Sequence, residues 1–327
     1  MQTRRIGLAG PAPGRISPGD FRVQTLDLRP PGPGEVLTRT LAFSLDPFLV
    51  RRMRDWSRDL AWAEGVISGW TIGQVIDSRA HGLREGDLVI GFGRWADRDV
   101  RPSDGLRVLD DLDLPLAAHF GPLGSSGMTA WTGVQLLAPR PGETFCVTSA
   151  AGAVGSVAGS LARLRGARVI GVAGGAAKAD LLRSQLGFDA AIDYKEEDVA
   201  AALAAAAPGG IQCHFENVGA PMLDPVLANM ADGGRIGLCG LIAHYQDERP
   251  VTLSNFRQIL DRSIVLRGFR GADTAARHAD ARREIAAYLR AGEAPLICTL
   301  HHGLDSAPSA FVEMLAGGGQ GKHVVLL

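Results

Sequence analysis

The sequence predicts an α/β protein organised around a doubly wound parallel sheet, and three observations carry that reading. The first is the stretch from Glu143 to Gly174, ETFCVTSAAGAVGSVAGSLARLRGARVIGVAG. It reads as strand, glycine turn, helix and strand in about 30 residues, the length of one βαβ unit. The second is the alternation of strand-like and helix-like segments that continues to Arg290. The third is composition: 46 % hydrophobic residues and 42 glycines supply sizeable cores and many turns.

In chain order, residues 1–117 have the character of a β-rich unit. Pro30-Pro31-Gly32-Pro33-Gly34 is a rigid turn before the alternating strand Glu35 to Leu41. Ile72 to Asp77 and Gly86 to Gly91 read as two further strands, with a Gly-Asp turn entering the second. Phe43 to Trp56, FSLDPFLVRRMRDW, reads as a loop leading into a short basic helix whose arginines face solvent. Past Pro115 the character shifts, and the run from Pro122 opens an Ala/Leu-rich helix ending near Leu137, stopped by Pro139 to Gly142.

Thr144 to Ser149 is then a short buried strand, and Ala150-Ala151-Gly152-Ala153-Val154-Gly155 the turn. Val154, Val157, Ala158, Leu161 and Leu164 fall on one helical stripe. Gly166 closes that helix, and Arg168 to Ala173 is the next strand. Downstream, helices are expected near Ala177–Leu186, Glu196–Ala206, Met222–Met230 and Ala275–Arg290. Strands are expected at Ala190–Asp193, Ile211–Asn217, Arg235–Cys239 and Ile264–Phe269. In such a sheet the ligand lies at the carboxyl ends of the strands. That edge holds Asp193-Tyr194-Lys195, Glu216-Asn217-Val218-Gly219 and Gly240 to Tyr245.

The chemistry of the central turn follows from its lack of bulk. Small residues at Ala150, Gly152 and Gly155 let the backbone approach a pyrophosphate, with N–H groups at the helix start aimed at the anion. The fingerprint is A-x-G-x-x-G; the same small residues would also serve a purely structural turn, and the flanking strand and helix favour the dinucleotide. An NAD site places an acid at the end of the second strand for the ribose 2′-OH. Here Ala173-Gly174-Gly175-Ala176-Ala177-Lys178 has no carboxylate before Asp180. NADP(H) is therefore the expected cofactor, with Lys178 on the 2′-phosphate; a solvated lysine is the alternative, and the missing acid carries more weight.

Other features narrow the class. Formal charge is −1, from 34 basic and 35 acidic residues spread along the chain, which suggests neither nucleic acid nor an anionic membrane as partner. No apolar run of 18 residues occurs, and Arg4, Arg5 and prolines occupy residues 1–20, so a soluble, cytoplasmic protein is expected. Cys146, Cys213, Cys239 and Cys298 form no C-x-x-C pair and read as free core cysteines. His301 and His302, adjacent in a strand, point to opposite faces. His244 is either a loop proton shuttle or an exposed polar residue, and Asp46 before Pro47 shapes a turn.

GPLGSSGMTAWTGV, AAGAVGS, LLRSQLGFDAAIDYKEED, ENVGAPMLDPVLANMADGGRIGLCG and the closing GKHVVLL together resemble the medium-chain dehydrogenase/reductase superfamily. Within it they resemble the zinc-independent prostaglandin reductase and alkenal (enone) double-bond reductase group. SLDPFLVRRM is similar to that group's S-x-D-P-Y-x-x-x-R-M, with Phe48 for the tyrosine. The resemblance implies a GroES-like β-rich catalytic domain from residues 1–118 and 296–327, with an NADP-binding Rossmann domain, 119–295, inserted between. A strand from His323 to Leu327 would return to the first domain. The resemblance also implies a homodimer joined through the nucleotide-binding domains.

Residue by residue, the resemblance places Ala150, Gly152, Ala153, Val154 and Gly155 in the pyrophosphate turn and Lys178 on the 2′-phosphate. Tyr194 and Asn217 match cofactor contacts, and Cys239 and Gly240 close the same edge. Tyr245 matches a pocket tyrosine acting on the substrate carbonyl. No metal site is expected: where the zinc-dependent branch has G-H-E this chain has Gly69-Trp70-Thr71, and no cysteine precedes Cys146. The chain departs from the group at Ser125-Ser126-Gly127 (M-P-G there), at Gly319 (an asparagine) and at Ala272 (an aromatic), all around the substrate mouth.

The implied reaction is NADPH-dependent reduction of the carbon–carbon double bond of an α,β-unsaturated aldehyde or ketone, by hydride transfer to the β-carbon without a metal. Two alternatives stay open: an NADPH quinone oxidoreductase of the same superfamily, and a non-catalytic NADP-binding protein.

Overall fold

Short alternating segments parted by Gly, Pro and Asp turns form antiparallel sheet in the first part of the chain. In the computed structural model, residues 1–12, 14–54, 65–246 and 250–327 are described. Strands β1 (Gln2–Leu8) and β2 (Phe21–Asp27) make a two-stranded ribbon. A larger sheet contains β3 (Glu35–Ser44), β4 (Ser68–Ser78), β5 (Leu88–Arg94), β6 (Arg98–Pro102) and β7 (Arg107–Val108). The basic stretch is the end of β3, a turn in which the Leu49 N–H reaches the Asp46 carbonyl at 3.1 Å, and helix α1 (Leu49–Arg54). Asp55 and Trp56 lie outside the described residues. Helix α2 (Leu116–Phe120) follows β7.

Helix and strand then alternate: α3 (Ser125–Leu137), β8 (Thr144–Thr148), α4 (Gly155–Leu164), β9 (Arg168–Ala173), α5 (Ala176–Ser184), β10 (Ala190–Asp193), α6 (Val199–Ala206), β11 (Ile211–Glu216), α7 (Ala220–Ala228), β12 (Met230–Leu238), α8 (Gln258–Asp261), β13 (Val265–Gly268) and α9 (His278–Arg290). The chain finishes with β14 (Cys298–His302), α10 (Ala307–Leu315) and β15 (Lys322–Leu326). It divides into two compact units, Met1–Phe120 with Cys298–Leu327, and Gly121–Ile297.

In the second unit the strand order is β10-β9-β8-β11-β12-β13, every pair parallel. Renumbered within the unit this is 3-2-1-4-5-6, the doubly wound Rossmann order, and the winding reverses between β8 and β11. Every residue of β8 is buried, as a central strand covered on both faces requires. Tight helix–sheet packing explains two small residues: a Cβ on Gly159 of α4 would stand 2.2 Å from the Phe188 ring, and one on Gly171 of β9 2.7 Å from Leu182.

Most expected elements appear with small boundary shifts, and the shifts have causes. Helix α6 starts at Val199 because the Asp198 carboxylate accepts the Ala201 N–H at 2.8 Å. Helix α7 starts at Ala220, with Pro221 in its first turn. Helix α9 starts at His278, after a 3-10 turn over Gly271–Arg277 kinked at Thr274. Strand β12 begins at Met230, earlier than the Arg235 expected from its apolar run.

In the first unit β15 runs antiparallel to β3 and parallel to β14, so the last strand lies in the sheet that β3 begins. Trp95 stacks on Phe43 with ring centroids 5.2 Å apart and meets the edge of Phe311, from α10, at 5.7 Å. Asp46 forms a buried ion pair with Lys322 and accepts from Ser44 Oγ at 2.6 Å, so it does more than shape its turn. All four cysteines are free, but only Cys146 and Cys213 are fully buried; Cys239 and Cys298 are partly exposed. Among the described residues no helix is long and apolar enough to cross a membrane.

Candidate cofactor and catalytic site

The turn after β8 is made by backbone. Ser149 sits in the left-handed region at φ 49°, which curls the chain so that the Gly152 N–H bonds its carbonyl at 2.9 Å. A Cβ on Gly155 would stand 2.3 Å from that same carbonyl, and one on Gly152 2.9 Å from Ser149 Oγ. Only glycine fits the approach at Gly155, whereas a side chain at Gly152 would require the Ser149 hydroxyl to move. Ala150 and Gly155 are buried beneath the turn, whereas Gly152, Ala153 and Val154 are half exposed on it. The N–H groups of Ala153, Val154 and Gly155 make no hydrogen bond to a described residue. Three free donors at the start of α4, over a surface bare of side chains, suit a pyrophosphate.

The end of β9 is equally spare. Gly174 lies under the Tyr194 ring, where a Cβ would come within 2.6 Å of Cζ, and Gly175 has φ 97°. The carboxylate of Asp193 is buried and faces the backbone, accepting the Gly175 N–H at 2.7 Å and the Lys195 N–H at 3.0 Å. Those two bonds hold its carboxyl below the usual range. Lys178 stands in the first turn of α5, and its amine is pushed down by burial and then by Lys195. Two lysines thus share a region in which the Asp193 carboxylate is taken up by backbone N–H groups, an environment that favours an added phosphate. Both dinucleotide features fit the group the sequence points to.

At the end of β11, Glu216 is fully buried. Its Oε1 accepts from Thr148 Oγ1 at 3.0 Å, from the Gly219 N–H at 2.8 Å and from the Val218 N–H. Its Oε2 lies 2.7 Å from His214 Nε2, and His214 Nδ1 lies 3.1 Å from the Cys146 carbonyl. Burial works against a charge on His214, but the Cys146 side chain and the Glu216 carboxylate outweigh it and push the ring up to about 10. Asn217 is fixed on β8, its N–H on Thr148 Oγ1 at 2.9 Å and its Nδ2 on the Thr148 carbonyl at 2.8 Å.

The next loop hangs from this one. The Glu216 carbonyl accepts the N–H groups of Cys239 and Gly240, and the carbonyls of Asn217 and Val218 accept those of Ile242 and Ala243. A Cβ on Gly240 would stand 3.3 Å from the Tyr245 hydroxyl, so the phenol folds back over the loop. Burial, then Glu216, pushes the Cys239 thiol up to about 12, which makes it inert. His244 accepts the Ala220 N–H at Nε2, 3.2 Å away, and its ring covers Gly219; it is a bracket of the loop.

The structure therefore brings Gly152, Ala153, Val154, Lys178, Tyr194, Asn217, Cys239, Gly240 and Tyr245 to the carboxyl edge of one sheet, with Ala150 and Gly155 supporting beneath. Sequence reasoning missed Ser149 and Thr148, placed Lys195 in an edge loop without giving it a role, and did not pair His214 with Glu216. The last two carried a readable signal, since polar residues two apart in a strand share a face.

In the first unit, Trp70 of Gly69-Trp70-Thr71 lies in β4 with its ring against Phe92, centroids 5.3 Å apart. Among the described residues no three His, Cys, Asp or Glu side chains converge as a metal site. His301 does have a histidine partner, across the β14–β15 pair: its Nε2 lies 3.0 Å from His323 Nδ1. The His323 ring occupies the space beside Gly319, where a Cβ would come within 2.4 Å of it at φ 66°. That overlap accounts for glycine there.

The doubly wound sheet with this edge has the form of a dinucleotide-binding fold. Residues 153–287 match the model described as zinc-binding dehydrogenase, and residues 4–109 the N-terminal domain of oxidoreductase. The chain is 35 % identical to the NADP(+)-dependent 2-alkenal reductase of Nicotiana tabacum, covering 100 % of this chain and 98 % of that one. It is 34 % identical to the NADPH-dependent curcumin reductase of Escherichia coli, over 99 % and 97 % of the two chains. The crystal structure of CurA from Vibrio vulnificus in complex with NADPH superposes with a TM-score of 0.90 at 33 % identity, over 99 % and 98 %. The chain belongs to the zinc-independent medium-chain dehydrogenase/reductases, in the alkenal and enone reductase group.

Proposed function

We propose that this protein uses NADPH to reduce the carbon–carbon double bond of α,β-unsaturated aldehydes or ketones. The observation that carries the reading is the pairing of the bare turn at Ser149–Gly155 with two lysines and no available acid at the end of β9. Full-length similarity to an NADP-dependent 2-alkenal reductase supports the choice of acceptor. When bound, the cofactor supplies hydride to the substrate β-carbon.

The chain's own residues have separate tasks in this reading. The N–H groups of Ala153, Val154 and Gly155 hold the pyrophosphate, with Ala150 and Gly152 keeping the surface clear. Lys178 takes the 2′-phosphate, Tyr194 covers the adenosine end, and Asn217, Cys239 and Gly240 line the edge toward the reacting end. Tyr245 donates to the carbonyl oxygen as charge develops there; phenols ionise near pH 10, so a tyrosine is a donor in neutral solution. No metal ligand set is invoked. Units Met1–Phe120 with Cys298–Leu327 and Gly121–Ile297 are the proposed catalytic and NADP-binding domains.

A homodimer through the second unit belongs to the same proposal. Strand β13 is an edge strand exposed along its length, with Val265 60 % and Leu266 36 % exposed, the kind of apolar edge that pairs with a copy. Val265→Lys should yield monomers by sedimentation. A cytoplasmic location is in keeping with four free cysteines and is checked by cell fractionation.

The functional test is NADPH oxidation with an enal, an enone, a quinone or no acceptor, with product mass determined. The proposal expects the saturated carbonyl from the enal or enone. Turnover with quinone alone would replace it with a quinone reductase, and binding without turnover would leave a non-catalytic NADP-binding protein.

A further inference from the structure

The two loops that carry Asn217 and Tyr245 are anchored on one charged side-chain pair in the core of the second unit. The Cys146 carbonyl only accepts hydrogen bonds, so His214 Nδ1, 3.1 Å from it, bears a hydrogen. At 2.7 Å, Nε2 and Glu216 Oε2 need a proton between them. An imidazole already protonated at Nδ1 has none to give at Nε2 unless it is charged, and an ionised carboxylate has none at all. The pair therefore holds one proton more than a neutral ring and an ionised acid. The other carboxylate oxygen accepts from Thr148, Val218 and Gly219, three donors that suit the ionised acid. The extra proton sits on the ring.

From this we infer that His214 and Glu216 form a fully buried ion pair, charged at neutral pH, that acts as a positioning pair: it sets the Asn217–Gly219 loop and, through it, Tyr245. The connection is continuous. Glu216 binds the N–H groups of Val218 and Gly219; the carbonyls of Asn217 and Val218 bind Ile242 and Ala243; Tyr245 follows two residues later. Both side chains are 0 % exposed, so the contact stays dry and short. The titratable groups that face it are Cys146 on β8, beside the ring, and Cys239 at the end of β12, beside Glu216; burial works against the charge on the ring, and Cys146 and Glu216 raise it. The pair keeps its charge through the range in which the enzyme would work. The catalytic half of this inference rests on the role proposed for Tyr245; the charge state and the loop anchoring do not.

The test is nitrogen-resolved NMR of the His214 ring in the full chain, with amide hydrogen exchange and kinetics of Glu216→Gln. Both ring nitrogens should carry protons at pH 8 and lose one only near pH 10. In Glu216→Gln, the amides of Val218, Gly219, Ile242 and Ala243 should exchange faster. Its kcat should fall about 10- to 100-fold while KM for NADPH stays within about twofold. In a Tyr245→Phe background the same change should cost much less, because the loop then has no donor to place. A bare ring nitrogen at pH 8, unchanged exchange at those four amides, or strictly additive losses would each overturn the inference. Full activity of Tyr245→Phe alone would instead overturn the proposed role of Tyr245, and the ring and amide measurements, which do not involve that residue, would still decide the pair. These measurements on the wild-type ring need no variant to fold.

Discussion

Two turns close the central strands of the parallel sheet, and they are built on opposite principles. The turn after β8 is almost all backbone: a left-handed serine, two glycines of which Gly155 admits no Cβ, and free N–H groups. The turn after β11 is almost all side chain, a buried carboxylate and imidazole that gather N–H groups inward. The first is shaped to receive negative charge from outside, and the second has supplied its own. A sheet edge can thus hold an anion at one strand and rigidly present a side chain at its neighbour, which is the division of labour a hydride-transfer site needs.

The largest expected effect tests the side-chain turn. Tyr245→Phe should lower kcat on an enone about 100-fold or more in steady-state assays, with NADPH affinity little changed. The backbone turn should break differently. In Gly155→Val a side chain must occupy space 2.3 Å from the Ser149 carbonyl, so NADPH affinity by titration should weaken about 100-fold, with kcat at saturation affected less. Were the two variants to fail in the same parameter, the contrast between the turns would be wrong.

Lys178→Ala should raise KM for NADPH about 10- to 100-fold and leave NADH nearly unchanged. An equal loss for both coenzymes would remove the phosphate role from that lysine.

How much of this was legible in the sequence differs between the turns. The backbone turn was readable because its shape is written as absence: A-x-G-x-x-G stands between a β-branched strand and an apolar stripe. Lys178 was readable from a missing acid, but Asp193 capping the Gly175 and Lys195 N–H groups was not, since those bonds depend on how β10 sits beside β9. The side-chain turn was half readable. Asn217 and Tyr245 were found by resemblance, and His214 and Glu216 share one face of β11, whereas Thr148 reaches Glu216 only through the register of β11 on β8. His301 shows the same limit, its partner His323 being contributed by the following strand. The start of α6 shifted because the Asp198 cap outweighed the apolar period.

The charged pair also makes a pH prediction of opposite sign to the usual acid denaturation. His214 is raised in the folded chain from 6.5 to about 10. Its contribution to stability is fully present below about 6.5, the ordinary histidine value, and is lost as pH rises through about 10. Urea midpoints of the wild type should therefore fall between those limits, while His214→Gln should be less stable at pH 7 and flatter above it. The smallest effect belongs to neither turn: incubation with a chelator should leave turnover unchanged, because no step assigned to this chain's residues uses a metal.

The most direct measurement follows the hydride itself. With NADPH deuterated at the transferring position of nicotinamide C4 and an enone as acceptor, the account predicts one deuterium on the β-carbon of a saturated ketone. Deuterium on the carbonyl carbon of an alcohol, or label that never leaves the coenzyme, would contradict it.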